Sequence, residues 1–288
     1  MYTRRNQRNL TSSQRSQFVN ALLKLKRSGS YDKYVSLHSR YFNADGETGL
    51  RVAHMTPTFF PWHRQFLLHF ERELRTVDPS VSIPYWDWTT DRSATSALWS
   101  SDFMGGNGRD SDGQVMTGPF AYQAGNWTIT QGVTQEPYLT RDLGRPDRPI
   151  DLPTKEDLDD ALAMEPYDTA PWDSDPDTEG FRNTIEGWTV SEELGGHLHN
   201  RVHQWVGGHM IGGTSPNDPV FWLHHAFIDL ISVRWQRQHP RSGYLPDQPL
   251  DDDDREHGRV LSLNEPMPPF NVKPSSVLDH RKFYTYEE

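Results

Sequence analysis

Histidine spacing constrains this chain more than any other feature. Between Gly195 and Asp229 it reads GGHLHNRVHQWVGGHMIGGTSPNDPVFWLHHAFID, with His197, His199, His203, His209, His224 and His225 among the thirteen histidines. His199 and His203 are four apart in a helical window, so their side chains leave one face a turn apart. A second helix follows, with Asn217 or Asp218 as its cap and Pro219 in its first turn. It carries His224 and His225 about two turns in. Two helices presenting imidazoles point to a nitrogen-ligated metal inside a helical bundle. An isolated H-x-x-x-H is a weak signal, since a lone histidine on an apolar face is usually a packed core residue. The zinc-protease version needs Glu after the first His, and here that residue is Asn200. The metal reading therefore rests on a second set of histidines upstream.

The chain has no cysteine, which removes disulfides, zinc–thiolate sites and thiol nucleophiles. Any metal must be held by His or carboxylate. At 288 residues the chain can bury a large core, and it reads as one domain spanning residues 1–288. A net charge of −11 argues against a nucleic-acid partner. No apolar run reaches membrane-spanning length. The polar, basic start MYTRRNQRNLTSSQ lacks the apolar core of a secretion signal. The expected location is therefore the cytoplasm, or outside the cell by export on a partner.

Thr11-Ser-Ser-Gln14 predicts a capping box before a helix to about Lys26. A second helix is predicted from about Tyr31 to Tyr41, carrying His38. His54 precedes Pro57, which keeps it out of a helix. Pro61 is expected to open the next helix, which carries His63, Phe66, Phe70 and Leu74 and stops at Asp78-Pro79. Residues 89–154 are rich in Gly, Asp, Ser and Pro and read as long loops with short strands. A short helix is predicted from Lys155 to Met164. Residues 181–188 look ordered, with Glu186 as their one carboxylate. The last histidine helix runs to about Gln238, and Asp251 to Asp254 read as a solvated charge run.

Two groups of three stand out: His38, His54, His63 and His199, His203, His225. Three neutral imidazoles with open positions suit copper or zinc better than magnesium or calcium. Two such sites facing each other would make a dinuclear centre, with metals typically about 3.5–4 Å apart. Carboxylates are scarce in both groups, which counts against a di-iron carboxylate site.

These stretches resemble the type 3 copper proteins, most closely the compact bacterial tyrosinases. The match lies in HMTPTFFPWHRQFLLHF (54–70), IPYWDW (83–88), HNRVHQWVGG (199–208) and SPNDPVFWLHHAFID (215–229). Tyr284-Thr-Tyr286 is similar to the family's mark for the end of the catalytic domain. The resemblance implies a mainly α fold, a central four-helix bundle around two copper ions, with long loops and a few short strands. It implies that His38, His54 and His63 hold one copper, and His199, His203 and His225 the other. It leaves His224 a supporting role. It further implies that O2 is the co-substrate, that ortho-diphenols become ortho-quinones, and that monophenols are first hydroxylated. A water held by Glu186 and Asn200 would take the phenol proton. Phe59 and Phe221 are expected to shape the pocket, Met210 and Gly213 to line its mouth, and an Arg64–Asp229 pair to lock the bundle. Histidines 69, 197, 209, 239, 257 and 280 are expected to be packing or surface residues.

The residues from 187 to 198 and from 246 to 258 look inserted relative to the melanin-forming bacterial enzymes. About sixty residues follow His225, too few for the shielding domain of larger relatives. The resemblance also implies a small caddie protein that delivers copper and aids export. Two other readings share the scaffold: an ortho-aminophenol oxidase of secondary metabolism with little monophenol hydroxylation, and an oxygen carrier of the hemocyanin type.

Overall fold

The computed structural model describes residues 1–147, 149–189, 195–251 and 259–288. Helix α1 (Ser12–Arg27) begins at the expected capping box: the Gln14 N–H donates to Thr11 Oγ1 at 3.2 Å, and the Thr11 N–H to Gln14 Oε1 at 2.9 Å. Gly29, at φ 75°, turns the chain into α2 (Ser30–Phe42). Helix α3 (Phe59–Val77) starts two residues before Pro61 rather than at it. Pro61 still lies in the first turn, where its missing N–H has no helical acceptor to lose. Helix α4 (Lys155–Leu162) is capped by Thr154 and ends two residues short of the expected Met164. Helices α5 (Phe181–Glu186), α6 (Leu198–Val206), α7 (Val220–Gln238) and α8 (Pro274–Val277) complete the set among the described residues. Pro219 is the cap residue of α7 rather than part of its first turn, and Asp218 Oδ1 accepts the Val220 N–H at 3.1 Å.

Among the described residues, the strands expected within residues 89–154 are not formed. Among the described residues that region holds isolated bridges, Gly108 with Val115 and Gln114 with Thr140. Extended strands are found instead at the chain ends, where β1 (Tyr2–Arg4) pairs in parallel with β2 (Tyr284–Tyr286). No local pattern announces a pairing between residues that far apart. Asp252 to Asp254, His257 and the middle of the apparent 187–198 insertion lie outside the described residues.

Helices α2, α3, α6 and α7 surround the histidines. Helix α7 is buried on nearly every side from Val220 to Val233, the signature of a helix at the centre of a core. Trp222 on α7 stacks on Phe70 of α3 with centroids 3.5 Å apart. The aromatic wealth of the sequence is spent largely on this contact zone, where Tyr31, Tyr34, Phe66 and Trp62 also meet.

One buried carboxylate ties the helices to the chain ends. Asp229 of α7 accepts from Arg64 Nε of α3 at 2.6 Å, from Arg4 Nη1 of β1 at 3.2 Å, and from the Tyr284 and Tyr286 hydroxyls at 2.6 Å each. Arg4 also meets Glu71 at 2.8 Å, and Arg64 donates to Ser232 and to the carbonyls of Val277 and Leu278. Burial alone would push the Asp229 carboxyl up. Arg64, Arg4 and the two phenols outweigh it and hold the group below its usual range. Removing the charge leaves the buried Arg64 guanidinium without a counter-ion, while Arg4 keeps Glu71. Asp229→Asn is expected to lower unfolding stability by about 3–5 kcal/mol, read from urea titrations. A loss below about 1 kcal/mol would mean that this knot is not what holds the ends.

Candidate metal centre

The second histidine trio is built by two helices meeting at their inner faces. His199 and His203 lie one turn apart on α6, and His225 comes from α7. Their Nε2 atoms converge: His199 to His203 at 3.0 Å, His199 to His225 at 3.3 Å and His203 to His225 at 3.3 Å. The first trio draws on α2 for His38, on the loop before α3 for His54 and on α3 for His63. One nitrogen from each of these rings lies within 4.8 Å of the others. The trios face each other, with His63 and His225 stacked at 4.4 Å between centroids.

Four of the six rings are aimed from their far side; His54 and His225 have no partner on Nδ1. His38 Nδ1 bonds the Gly213 carbonyl at 2.6 Å, His63 Nδ1 the Phe59 carbonyl at 2.8 Å, and His203 Nδ1 the Met210 carbonyl at 2.7 Å. His199 Nδ1 bonds Asn200 Oδ1 at 3.0 Å. A carbonyl can only accept, so the proton sits on Nδ1 and Nε2 presents a bare lone pair. In His38 and His63 that Nε2 is buried without any partner. Burial also holds the rings neutral. It lowers His38 to about 3 and His203 to about 4, and it carries His54, His63, His199 and His225 well below the ordinary histidine value.

The donor sets fit a metal. Ligand bonds of about 2 Å at near-tetrahedral angles put nitrogens about 3.3 Å apart, close to the spacing of the second trio. All-imidazole donors without carboxylate or thiolate suit copper. His224 lies within ligand range of the second trio, but its chemistry is different. Its Nδ1 accepts the Trp88 indole N–H at 3.2 Å, which leaves the ring proton on Nε2. It stacks on His199 at 5.1 Å and so braces a neighbouring ring.

Phe59 and Phe221 each touch both trios. Phe59 lies 5.0 Å from His63 and 5.0 Å from His199, and Phe221 lies 4.1 Å from His225 and 5.0 Å from His38. An open cavity of about 440 Å³ reaches His54, His199 and His203. Asn200 is on its wall. Met210 and Gly213 are not, although the sequence places them at the mouth. Met210 is fully buried, and Gly213 is pressed against Ser39 and Phe42 of α2. Their neighbours Ile211 and Gly212 line the opening instead, with Phe42, Trp188, Gln204 and Ser215. Sequence reasoning missed these. Only Phe42 carries a signal, since it lies four residues after His38 on the same helix.

Glu186 is fully buried and lies outside the cavity wall. Its Oε1 accepts the Met55 N–H at 2.5 Å, and its Oε2 meets Arg182 at 3.0 Å. Burial raises its pKa, against the opposing pull of Arg182 and the Met55 N–H. Arg182 is shared with buried Asp168 at 2.7 Å. The remaining described histidines stay out of both trios. His209, for example, accepts the Thr140 N–H at 3.0 Å.

The model for the common central domain of tyrosinase matches residues 28–238. A tyrosinase from Streptomyces antibioticus is 51% identical over 288 residues, covering 100% of both chains. The chain belongs to the tyrosinase family. It is a copper-dependent oxidoreductase of that type, with a dicopper cofactor and O2 as co-substrate. Grixazone synthase from Streptomyces griseus is 43% identical over 315 residues, again across both whole chains. A polyphenol oxidase variant from Thermothelomyces thermophila shares the mainly helical fold, with a TM-score of 0.71 and 23% identity over 100% of this chain and 89% of that one.

Neutral burial of these rings has a cost in acid. The unfolded chain binds protons below about pH 6.5, while the native rings refuse them until far lower. Stability of the metal-free protein is therefore full above about pH 6.5 and falls as pH drops. Each ring contributes up to about 1.4 kcal/mol per pH unit until its folded pKa is reached. The urea midpoint of chelator-treated protein is expected to fall steeply from pH 7 to 5. A flat profile would contradict the neutral, desolvated state of the rings.

Proposed function

We propose that this member of the tyrosinase family hydroxylates monophenols and oxidises ortho-diphenols to ortho-quinones. In this reading His38, His54 and His63 hold one copper, and His199, His203 and His225 the other. The observation that carries it is the facing of two neutral imidazole trios across the His63–His225 stack. The copper pair, when bound, supplies the two-electron chemistry that couples O2 to the phenol.

The chain's own residues then have three tasks. Apolar groups in the cavity wall, Phe42, Trp188 and Ile211, receive an aromatic ring and exclude water beside it. Phe59 and Phe221 keep both trios dry and rigid. Asn200 and Glu186 hold a water that takes the phenol proton. Glu186 keeps acceptor capacity beyond Met55, Arg182 and Trp188, and Asn200 keeps its amide N–H groups beyond His199. A small caddie protein that delivers copper is the remaining partner in this reading, on family resemblance.

A second reading, oxidation of ortho-aminophenols, is supported by the 43% identity to grixazone synthase. The two separate on the monophenol step. Copper-loaded protein is expected to hold two ions per chain and to turn over both a monophenol and an ortho-diphenol. His63→Ala or His203→Ala is expected to hold fewer than two ions and to abolish both activities. An intact two-copper protein that oxidises ortho-aminophenols but hydroxylates no monophenol would overturn the first reading in favour of the second.

Glu186→Gln keeps an acceptor for the Met55 N–H and removes the base. It is expected to lower monophenol hydroxylation about 100-fold, with ortho-diphenol oxidation changed by less than about threefold. Equal losses on both substrates, measured as kcat/KM, would remove Glu186 from proton transfer.

A further inference from the structure

Two of the carbonyls that aim the imidazoles belong to one short loop. Residues 207–217 form most of the link between α6 and α7, and within them the Met210 carbonyl takes His203 of one trio while the Gly213 carbonyl takes His38 of the other. The loop is fixed at both ends. The His209 N–H donates to the Thr140 carbonyl at 3.1 Å, and a Cβ on Gly208 would lie 2.2 Å from that same oxygen. At the far end the Trp127 indole N–H donates to the Asn217 carbonyl at 3.1 Å, and the Tyr31 hydroxyl donates to the Pro216 carbonyl at 2.5 Å.

We propose that this loop is a single strap fixing one imidazole in each trio, and that Gly213 is a positioning residue for His38. The proposal rests on the copper-ligand reading above. Gly213 is not required by its backbone dihedral, which lies outside the left-handed region. Space requires it: an added Cβ would meet Phe42 Cβ at 3.0 Å, Phe42 Cγ at 3.2 Å and Ser39 Cα at 3.2 Å. Two of these atoms belong to α2 near its backbone, so rotating a side chain cannot relieve them. The absent side chain lets the strap lie against α2, the helix that carries His38, and brings the Gly213 carbonyl to 2.6 Å from Nδ1. A larger residue lifts the strap away from α2, lengthens that bond and frees the His38 ring to turn. Losing the outer partner of a metal-bound imidazole typically weakens the metal 10–100-fold.

Chelator competition on the copper-loaded full chain tests this. Gly213→Ala is expected to weaken one of the two coppers about 10–100-fold and the other by less than about twofold. At intermediate chelator a mononuclear Cu(II) signal should appear. In a His38→Ala background the same substitution should leave the remaining copper unchanged, because its route to the metal is gone. Adding Phe42→Ala removes the ring carbon nearest the new Cβ and should recover part of the lost affinity. Gly213→Ala protein that keeps both coppers at wild-type affinity would overturn the proposal. So would equal weakening of both coppers together with a lowered melting temperature, which marks a purely structural role. Wild-type protein that binds no copper would instead overturn the ligand reading beneath it.

Discussion

The Nε2 lone pairs of His199 and His203 point at each other 3.0 Å apart, with His225 Nε2 3.3 Å from both, and the fold must keep them there. Two cheap escapes are closed. Protonation of a ring is opposed by burial, which keeps all six imidazoles of the two trios neutral. Rotation is opposed for His38, His63, His199 and His203 by hydrogen bonds on Nδ1. What remains is a cluster of bare donors that a cation relieves. The centre is thus preorganised at the expense of the metal-free state.

The rest of the structure supplies the stiffness this needs. Asp229 lies one turn beyond His225 on α7, and Arg64 lies beside His63 on α3. Their buried pair sets the register of the two helices whose histidines stack across the centre. Arg4, Tyr284 and Tyr286 close on the same carboxylate, so the chain ends reinforce the contact that positions the donors. The strap at residues 207–217 links α2 to α6 through its two carbonyls. Phe59 and Phe221 each pack against one ring of both trios and brace them from the sides.

How much of this the sequence discloses follows from the range of each interaction. The capping box at Thr11, the i,i+4 pair on α6 and the interruption at Pro57 are local, and they place helices and histidines to within a few residues. Where the sequence misleads, partners distant in the chain decide. The β1–β2 pairing joins residues 2–4 to residues 284–286. The carbonyls of Gly213 and Met210 act on rings 175 and 7 residues away, and backbone acceptors leave no trace in residue type. Glycine at 213 reads as an open mouth in one dimension and as a tight helix contact in three. Ile211, Trp188 and Ser215 reach the cavity from segments outside the α-helices, where no periodicity marks them.

Glu186 shows why a buried carboxylate beside such a centre cannot be assigned one task. Met55, the residue after His54, sits at φ 56°, a left-handed conformation that costs a non-glycine residue about 1–3 kcal/mol. Its N–H donates to Glu186, and this bond helps hold the strained turn that delivers His54 from a loop rather than a helix. On its other oxygen Glu186 meets Arg182, itself pinned by Asp168. The carboxylate therefore belongs to a rigid buried triad that reaches the first trio through Met55. The Glu186 backbone carbonyl also lies 3.4 Å from His199 Nδ1, at the edge of hydrogen-bond reach to the second trio. Under the role proposed for Glu186, the contacts that orient the base are the ones that steady the turn carrying His54, so one piece of structure serves both. Gly187, at φ 78°, then turns the chain out to the cavity wall; a Cβ there would lie 2.0 Å from the His197 carbonyl. The turn is thus closed to other residues, and it keeps the carboxylate one residue behind the cavity wall.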